Sequence, residues 1–298
     1  MQGTIMAATA VMLILKNLSF ATAMVAYQSP MSTESKPSVR SHCPLDSPIV
    51  CVDKTVGDQD DCCSESRTGL LLLSQQWLDH SIDGGPKDSF TIHGLWPDRC
   101  DGTHEIFCSP SQNVHDVRSI LMDPMFEDSS YPISGRALLD ILNTHWGSLV
   151  AKGSLWVHEY NKHGLCLSTI SPKCLFSDEK SLSEDARRKE SVYHYFRIAY
   201  NLFRRVDAYK VLVAANIVPS KDKTYTRQQI LDALEADFGF KVSLKCDRRA
   251  LTEVHYAYHP KGSILDEQFI PTDEVGASTG CPKTGIRWYP KSYKKRRL

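Results

Sequence analysis

Two short segments of the chain gather the side chains that move protons near neutral pH. The first, Phe90-Thr91-Ile92-His93-Gly94-Leu95-Trp96-Pro97-Asp98, sets one imidazole beside an indole and a carboxylate. The second, Trp156-Val157-His158-Glu159-Tyr160-Asn161-Lys162-His163-Gly164-Leu165-Cys166, sets two imidazoles around an acid and a cation. If the second segment is helical, Glu159, Lys162 and His163 share one face, because residues three and four apart are neighbours there. Glu159 and Lys162 alone would read as a solvated ion-pair patch, and His93 alone as a structural hydrogen-bonder. The flanking His158 and His163 favour a general acid–base centre, since imidazole titrates close to physiological pH. His158-Glu159 also begins like the zinc-protease motif H-E-x-x-H, whose histidines lie four apart on one helical face. Here the histidines lie five apart, which turns the second ring roughly 140° away at about 100° per residue. A metal site is therefore not expected, and no cofactor either.

The first segment is expected to be a strand, from the apolar alternation at Phe90 and Ile92, ending at Gly94 and leaving His93 and Trp96 near its mouth. Residues 69–77 (GLLLLSQQW) suit a buried strand. Ser134 and Gly147 bracket ALLDILNTHW as an N-cap and a C-terminal stop. A helix over Ser191–Val206 follows from apolar residues at helical spacing. Thr226 and Gln229 form a capping box for a helix closed by Gly239, and Leu244 and Val254–Tyr258 read as strands. Without a regular strand–helix alternation, the fold class is α+β, and no internal repeat is visible.

Hydrophobic residues make up 42% and charged residues 23% of the 298, close to soluble globular averages, so most of the chain should fold. The apolar run IMAATAVMLIL, with small residues at Ala21, Ala23 and Ala26, marks residues 1–26 as a signal peptide. No later segment is long and apolar enough to span a bilayer. A polar lead with Pro30 and Pro37 covers 27–42, a single domain covers 43–290, and 291–298 (KSYKKRRL) is a basic tail. Ten cysteines behind a secretory leader read as five disulfides. No pair has C-x2-C or C-x4-C spacing, which argues against zinc. The only N-glycosylation sequon, at Asn17, lies inside the leader. With 35 basic and 35 acidic residues, a broad basic nucleic-acid-binding face is not implied. Eleven histidines would nevertheless make the protein cationic in an acidic compartment.

Taken together, Phe90–Pro97 (FTIHGLWP) and His158–Cys166 (HEYNKHGLC) resemble the two signatures of the ribonuclease T2 family. The resemblance runs from about Cys43 to about Pro290, and Gly85-Pro86-Lys87-Asp88-Ser89 with the ten cysteines resembles the fungal branch. It implies a central, largely antiparallel sheet flanked by helices. It implies the pairs Cys43–Cys63, Cys51–Cys100, Cys62–Cys174, Cys108–Cys166 and Cys246–Cys281, a connectivity that sequence alone could not select. It assigns His163 as general base for the ribose 2′-OH and His93 as the acid for the departing 5′-oxygen. Glu159 and Lys162 match residues that stabilise the phosphorane, and His158 matches a phosphate-binding position. Trp96 and Asp98 match the primary base site, and Gln76 a second one; unaided, Trp96 would read as a core wedge and Asp98 as a turn residue.

The chain departs from the family pattern at Tyr160 and Leu165, which read as packing changes, and at His104 and Leu155, which stand where aromatic base-site residues are usual. The expectation is a secreted or vacuolar, monomeric, metal-independent endoribonuclease. It would cleave single-stranded RNA through a 2′,3′-cyclic phosphate to 3′-phosphate ends and leave DNA intact. The rival is a secreted effector or binding protein on the same scaffold, in which catalysis is incidental.

Overall fold

The computed structural model describes residues 43–44, 47–53, 60–81, 83–175, 182–275 and 280–292. The expected leader 1–26, the lead 27–42 and the tail residues 293–298 lie outside them. In chain order the main elements are strands β1 (Leu70–Gln76) and β2 (Thr91–Asp98) and helices α1 (Val117–Leu121), α2 (Gly135–His145) and α3 (Lys152–Lys162). Helices α4 (Glu184–Phe203), α5 (Ala208–Ala214) and α6 (Arg227–Phe238) follow, then strands β3 (Ser243–Asp247), β4 (Ala250–Pro260) and β5 (Phe269–Thr272). The strands form one sheet in the order β2-β1-β4-β3, with β5 also on β4. Every one of these strand pairings is antiparallel, so the fold is α+β as expected. Among the described residues no helix is long and apolar enough to cross a membrane.

Alternation along the strands gives the sheet two different faces. Leu71, Leu73, Ile92, Leu95, Val254, Tyr256 and Tyr258 point into the main core, where they meet Tyr195, Phe196 and Leu202 of α4 and Trp156 and Tyr160 of α3. Leu70, Leu72 and Ala257 form a small cluster on the opposite face, with Trp96 packed against it. The candidate site lies on this second face.

The expectation that β2 stops at Gly94 is corrected: the strand continues to Asp98. The pairing explains why. Ser74 pairs with Gly94 but Gln75 pairs with Ile92, so His93 is an extra residue in β2, a β-bulge. The bulge resets the alternation, so Ile92 and Leu95, three apart, both reach the core. A strict period of two would have turned one of them away.

Helix ends follow the side-chain oxygens available. Ser134 caps α2 through Ala137 N–H. The helix closes at Trp146, whose N–H reaches Leu142 O, rather than through a left-handed Gly147. Gly147 is instead a packing glycine: a Cβ there would lie 2.5 Å from the Asp83 carbonyl oxygen. The fourth helix starts earlier and ends sooner than the expected Ser191–Val206, because Ser183 supplies an N-cap to Ala186 N–H. The Thr226/Gln229 capping box and the left-handed Gly239 (φ 85°) bound α6 as expected.

All five disulfides are formed in the expected pairing. Cys108–Cys166 ties the loop after β2 to the turn after α3. At the other end, Lys291 is buried and its Nζ donates to the carbonyls of Gly84, Pro86 and Ser89, while Ser292 N–H reaches Asp79 O. These two residues belong to the folded body, beyond the boundary expected at 290.

Candidate active site

The bulge in β2 and the C-terminal turn of α3 bring His93, Trp96, Glu159 and His163 into one cluster. On α3, Glu159 is 1% exposed and faces the sheet. Its Oε2 accepts the Trp96 indole N–H at 2.8 Å, and its Oε1 lies 3.5 Å from His93 Nε2. His163 is the residue that ends the helix, with its N–H still on Glu159 O at 3.0 Å, so the helical spacing from Glu159 is kept. Its ring stacks on Trp96 at 5.3 Å between centroids and 29° between planes. His93 meets the edge of the same indole at 5.2 Å. Gly94 makes the approach of strand to helix possible: a Cβ there would sit 2.1 Å from Glu159 Oε2 and 2.4 Å from Trp96 Nε1.

The two imidazoles are driven in opposite directions. Burial disfavours charge on His93, but hydrogen-bonding and ionic contacts with Glu159 and Glu253 outweigh it and raise its pKa to about 9. Burial also disfavours charge on His163. There Glu159 compensates only in part while Lys162, His158 and His93 add like-charge repulsion, and the pKa falls to about 4. Between those values His93 is charged and His163 neutral. Burial alone would raise the Glu159 carboxyl, but the contacts to His93 hold it below the usual carboxylate range, so it stays ionised.

His158 is exposed, with its ring edge-on to Phe107 at 6.4 Å between centroids. Lys162 is half-buried beside it, and its carbonyl accepts Phe107 N–H at 2.9 Å. His158 and His163 therefore sit in different environments, one in solvent and one 6% exposed.

The expected base-binding residues fall into two groups. Asp98 and His104 lie on adjacent backbone segments joined by a bridge, with Asp98 buried and His104 exposed. Burial, reinforced by the Glu274 carboxylate, pushes the Asp98 carboxyl up to about 7. Trp96 is more enclosed than a free stacking platform, with His163 parallel to the indole, His255 edge-on to it at 5.3 Å and Lys245 Nζ 5.6 Å from the ring centroid. Gln76 is buried and its Nε2 donates to Ile92 O and Gly147 O, so a ligand would have only its carbonyl oxygen. Leu155 is half-buried and packs against the main core.

Four further residues shape the site and were not singled out from the sequence. Glu253 Oε1 lies 3.3 Å from His93 Nδ1, on the far side of the ring from Glu159. Its Oε2 lies 2.8 Å from His255 Nε2 and accepts from Ser74 Oγ at 3.3 Å. Lys245 Nζ stands 3.9 Å from the same oxygen. Residues 253 and 255 alternate on β4 and so share the site face, the one signal in the sequence that could have drawn attention to them.

The comparisons with known proteins agree with this geometry. Residues 68–271 match the model of the Ribonuclease T2 family. A "Ribonuclease T2-like" protein of Saccharomyces cerevisiae is 43% identical over 271 residues, covering 86% of this chain and 62% of the relative. The chain thus spans about three fifths of that relative's length. "Ribonuclease T2" of Aspergillus oryzae is 37% identical over 252 residues, covering 84% of each. Among solved structures, Actibind, described as a T2 ribonuclease, superposes with a TM-score of 0.71 at 33% identity, covering 84% of this chain and 98% of that one. Matched along most of its length in both sequence and fold, the chain belongs to the ribonuclease T2 family.

Proposed function

We propose that the protein is an endoribonuclease that cleaves single-stranded RNA by two proton transfers between a substrate ribose and its own imidazoles. The observation that carries this reading is the gathering of two imidazoles around one indole and one carboxylate, His93 and His163 at 5.2 and 5.3 Å from Trp96 beside buried Glu159, with His93 pushed towards its charged form and His163 towards its neutral one. A neutral base and a charged acid around one phosphate are what in-line transesterification requires. His163 takes the proton of the 2′-OH, the 2′-oxygen attacks phosphorus, and the 5′-oxygen leaves with the proton of His93. The 2′,3′-cyclic phosphate is then opened by water. His93, now neutral, takes a proton from the water, and His163, now charged, returns one to the 2′-oxygen, leaving a 3′-phosphate.

Positive charge from His93 and Lys162 stabilises the phosphorane, and Glu159 acts by fixing His93 and Trp96 around it. His158, exposed at the rim, contacts a substrate phosphate. Asp98 offers a base site a buried carboxyl that no described residue hydrogen-bonds, with His104 beside it. Trp96 holds the catalytic cluster together as well as facing the base, and Gln76 contributes at most an acceptor to a second base. The reaction uses no metal or other cofactor, so a chelator leaves its rate unchanged. DNA lacks the attacking hydroxyl and is not cut. Five disulfides support residence in an oxidising compartment, outside the cell or in a vacuole, where the protein acts as a monomer.

Replacing either histidine tests this directly. His163→Ala and His93→Ala should each lower kcat by about 10² to 10⁴-fold while the protein folds and is secreted normally. A folded His163→Ala protein with half the wild-type turnover would overturn the assignment.

A further inference from the structure

His93 lies between two carboxylates that come from opposite sides of the site, Glu159 on α3 at Nε2 and Glu253 on β4 at Nδ1. Only the Nε2 edge can serve a leaving oxygen if Glu159 and the substrate share it, which leaves the Nδ1 edge to fix the ring. We propose that Glu253 is the positioning residue for His93: it holds the imidazole by its Nδ1–H, leaves the Nε2 proton as the one that is transferred, and supplies the counter-charge that keeps His93 an acid during turnover. This rests on the reading of His93 as the proton donor.

The surroundings of Glu253 fit that role better than an incidental ion pair. In the sheet order β2-β1-β4-β3 the side chain must cross β1 to reach β2, and it passes beside Ser74, a residue small enough to permit the crossing and able to donate to Oε2. Two other groups grip the same oxygen, His255 at 2.8 Å and Lys245 at 3.9 Å. His255 is 2% exposed, and burial keeps it towards the neutral form. With Ser243 Oγ 3.3 Å from its Nδ1, the consistent tautomer carries its proton on Nε2 and donates to Glu253. Oε2 is thus anchored three ways and Oε1 is left for His93. The His93 contact is bent rather than linear, since Nδ1 lies within ionic distance but makes no well-aligned hydrogen bond. Besides Glu159 and Glu253, the charged or titratable groups acting on His93 or Glu253 are His163, His255 and Lys245. All three are cationic when protonated, so Glu253 and Glu159 are the only groups of this set that favour the imidazolium.

The pH dependence of kcat/KM on a single-stranded homopolymeric RNA decides the matter. Glu253→Gln removes the charge while keeping the shape, and with its amide oxygen held by the three donors at the Oε2 position it offers Nδ1 no carboxylate. A charge within about 4–6 Å moves a pKa by roughly one to three pH units, so the alkaline limb, near pH 9 in the wild type, should move down by that amount. The acid limb, set by His163, should stay in place, and the loss should fall on kcat rather than KM. A folded Glu253→Gln protein with the wild-type alkaline limb would overturn the proposal. The underlying reading fails separately: a His93→Ala protein that turns over normally removes His93 as the acid, whatever Glu253→Gln does. Should Glu253→Gln not fold, ¹⁵N spectra of the wild type at a pH above the His93 transition, where the ring is neutral and only one nitrogen keeps its proton, still decide. A protonated His93 Nδ1 supports the proposal, and an unprotonated one overturns it.

Discussion

Replacing Asp98 by Asn should make the protein more stable at pH 8 and change little at pH 4. Burial and the neighbouring Glu274 carboxylate raise the Asp98 carboxyl from an ordinary 3.8 to about 7. Between those values the folded protein binds a proton that the unfolded chain has released, so stability falls as pH rises through the interval. The contribution is fully favourable below the unfolded value and fully lost above the folded one. A tenfold change in proton affinity is worth about 1.4 kcal/mol, so ionising Asp98 in place costs about 4 kcal/mol by pH 8 before relaxation and solvent penetration are allowed for. Asn cannot ionise and is nearly isosteric, so a gain of about 2–4 kcal/mol at pH 8 is expected. Urea unfolding followed by circular dichroism, with disulfides intact, measures both pH values. An Asn variant that is no more stable than the wild type at pH 8, or is stabilised equally at pH 4, would refute the reasoning. In the same variant, altered base preference with retained turnover is expected if the carboxyl meets a base rather than the reacting phosphate.

Two further substitutions test how the site is held. Gly94→Ala would drive a methyl group into Glu159 and Trp96; kcat should fall by at least about 10²-fold, as for loss of a catalytic group, and a variant with wild-type kcat would show that the close approach is dispensable. Glu65 is 1% exposed and accepts from the backbone N–H groups and hydroxyls of Ser168 and Thr169, just beyond the turn that carries His163. Glu65→Ala strands the two buried backbone N–H groups at about 1–3 kcal/mol each, so a loss of about 2–6 kcal/mol in urea unfolding is expected, and a loss below about 1 kcal/mol would contradict it.

The main outlines of the site were legible because they depend on local spacing. Glu159 and His163 had to share a helical face, and the helix does place them together. The residue at the five-residue gap stands apart in exposure, His158 being exposed and His163 buried. The capping box at Thr226 and the strands at 70–76 and 254–258 were visible for the same reason. What depended on partners far along the chain was not legible. The bulge at His93 comes from β1 pairing with β2 out of simple register, and nothing within FTIHGLWPD shows that the strand continues past Gly94. Glu253 and His255 enter the site only because β4 lies beside β1. Gln76 matched a base-site position in the sequence, yet its amide hydrogens serve the backbone of Ile92 and Gly147. Lys291 seemed part of a solvated basic tail until the carbonyls of residues 84, 86 and 89 were seen to enclose it.

The central claim is that the nucleophile belongs to the substrate and that His163 only removes its proton. An oligonucleotide with one ribonucleotide in an otherwise deoxy strand tests it most directly, because a single 2′-OH is then the only internal attacker available. The account predicts one cut, on the 3′ side of that ribose, with a 2′,3′-cyclic phosphate appearing before any 3′-phosphate and no cleavage of the all-deoxy strand. Cleavage of the all-deoxy strand at a comparable rate would contradict it.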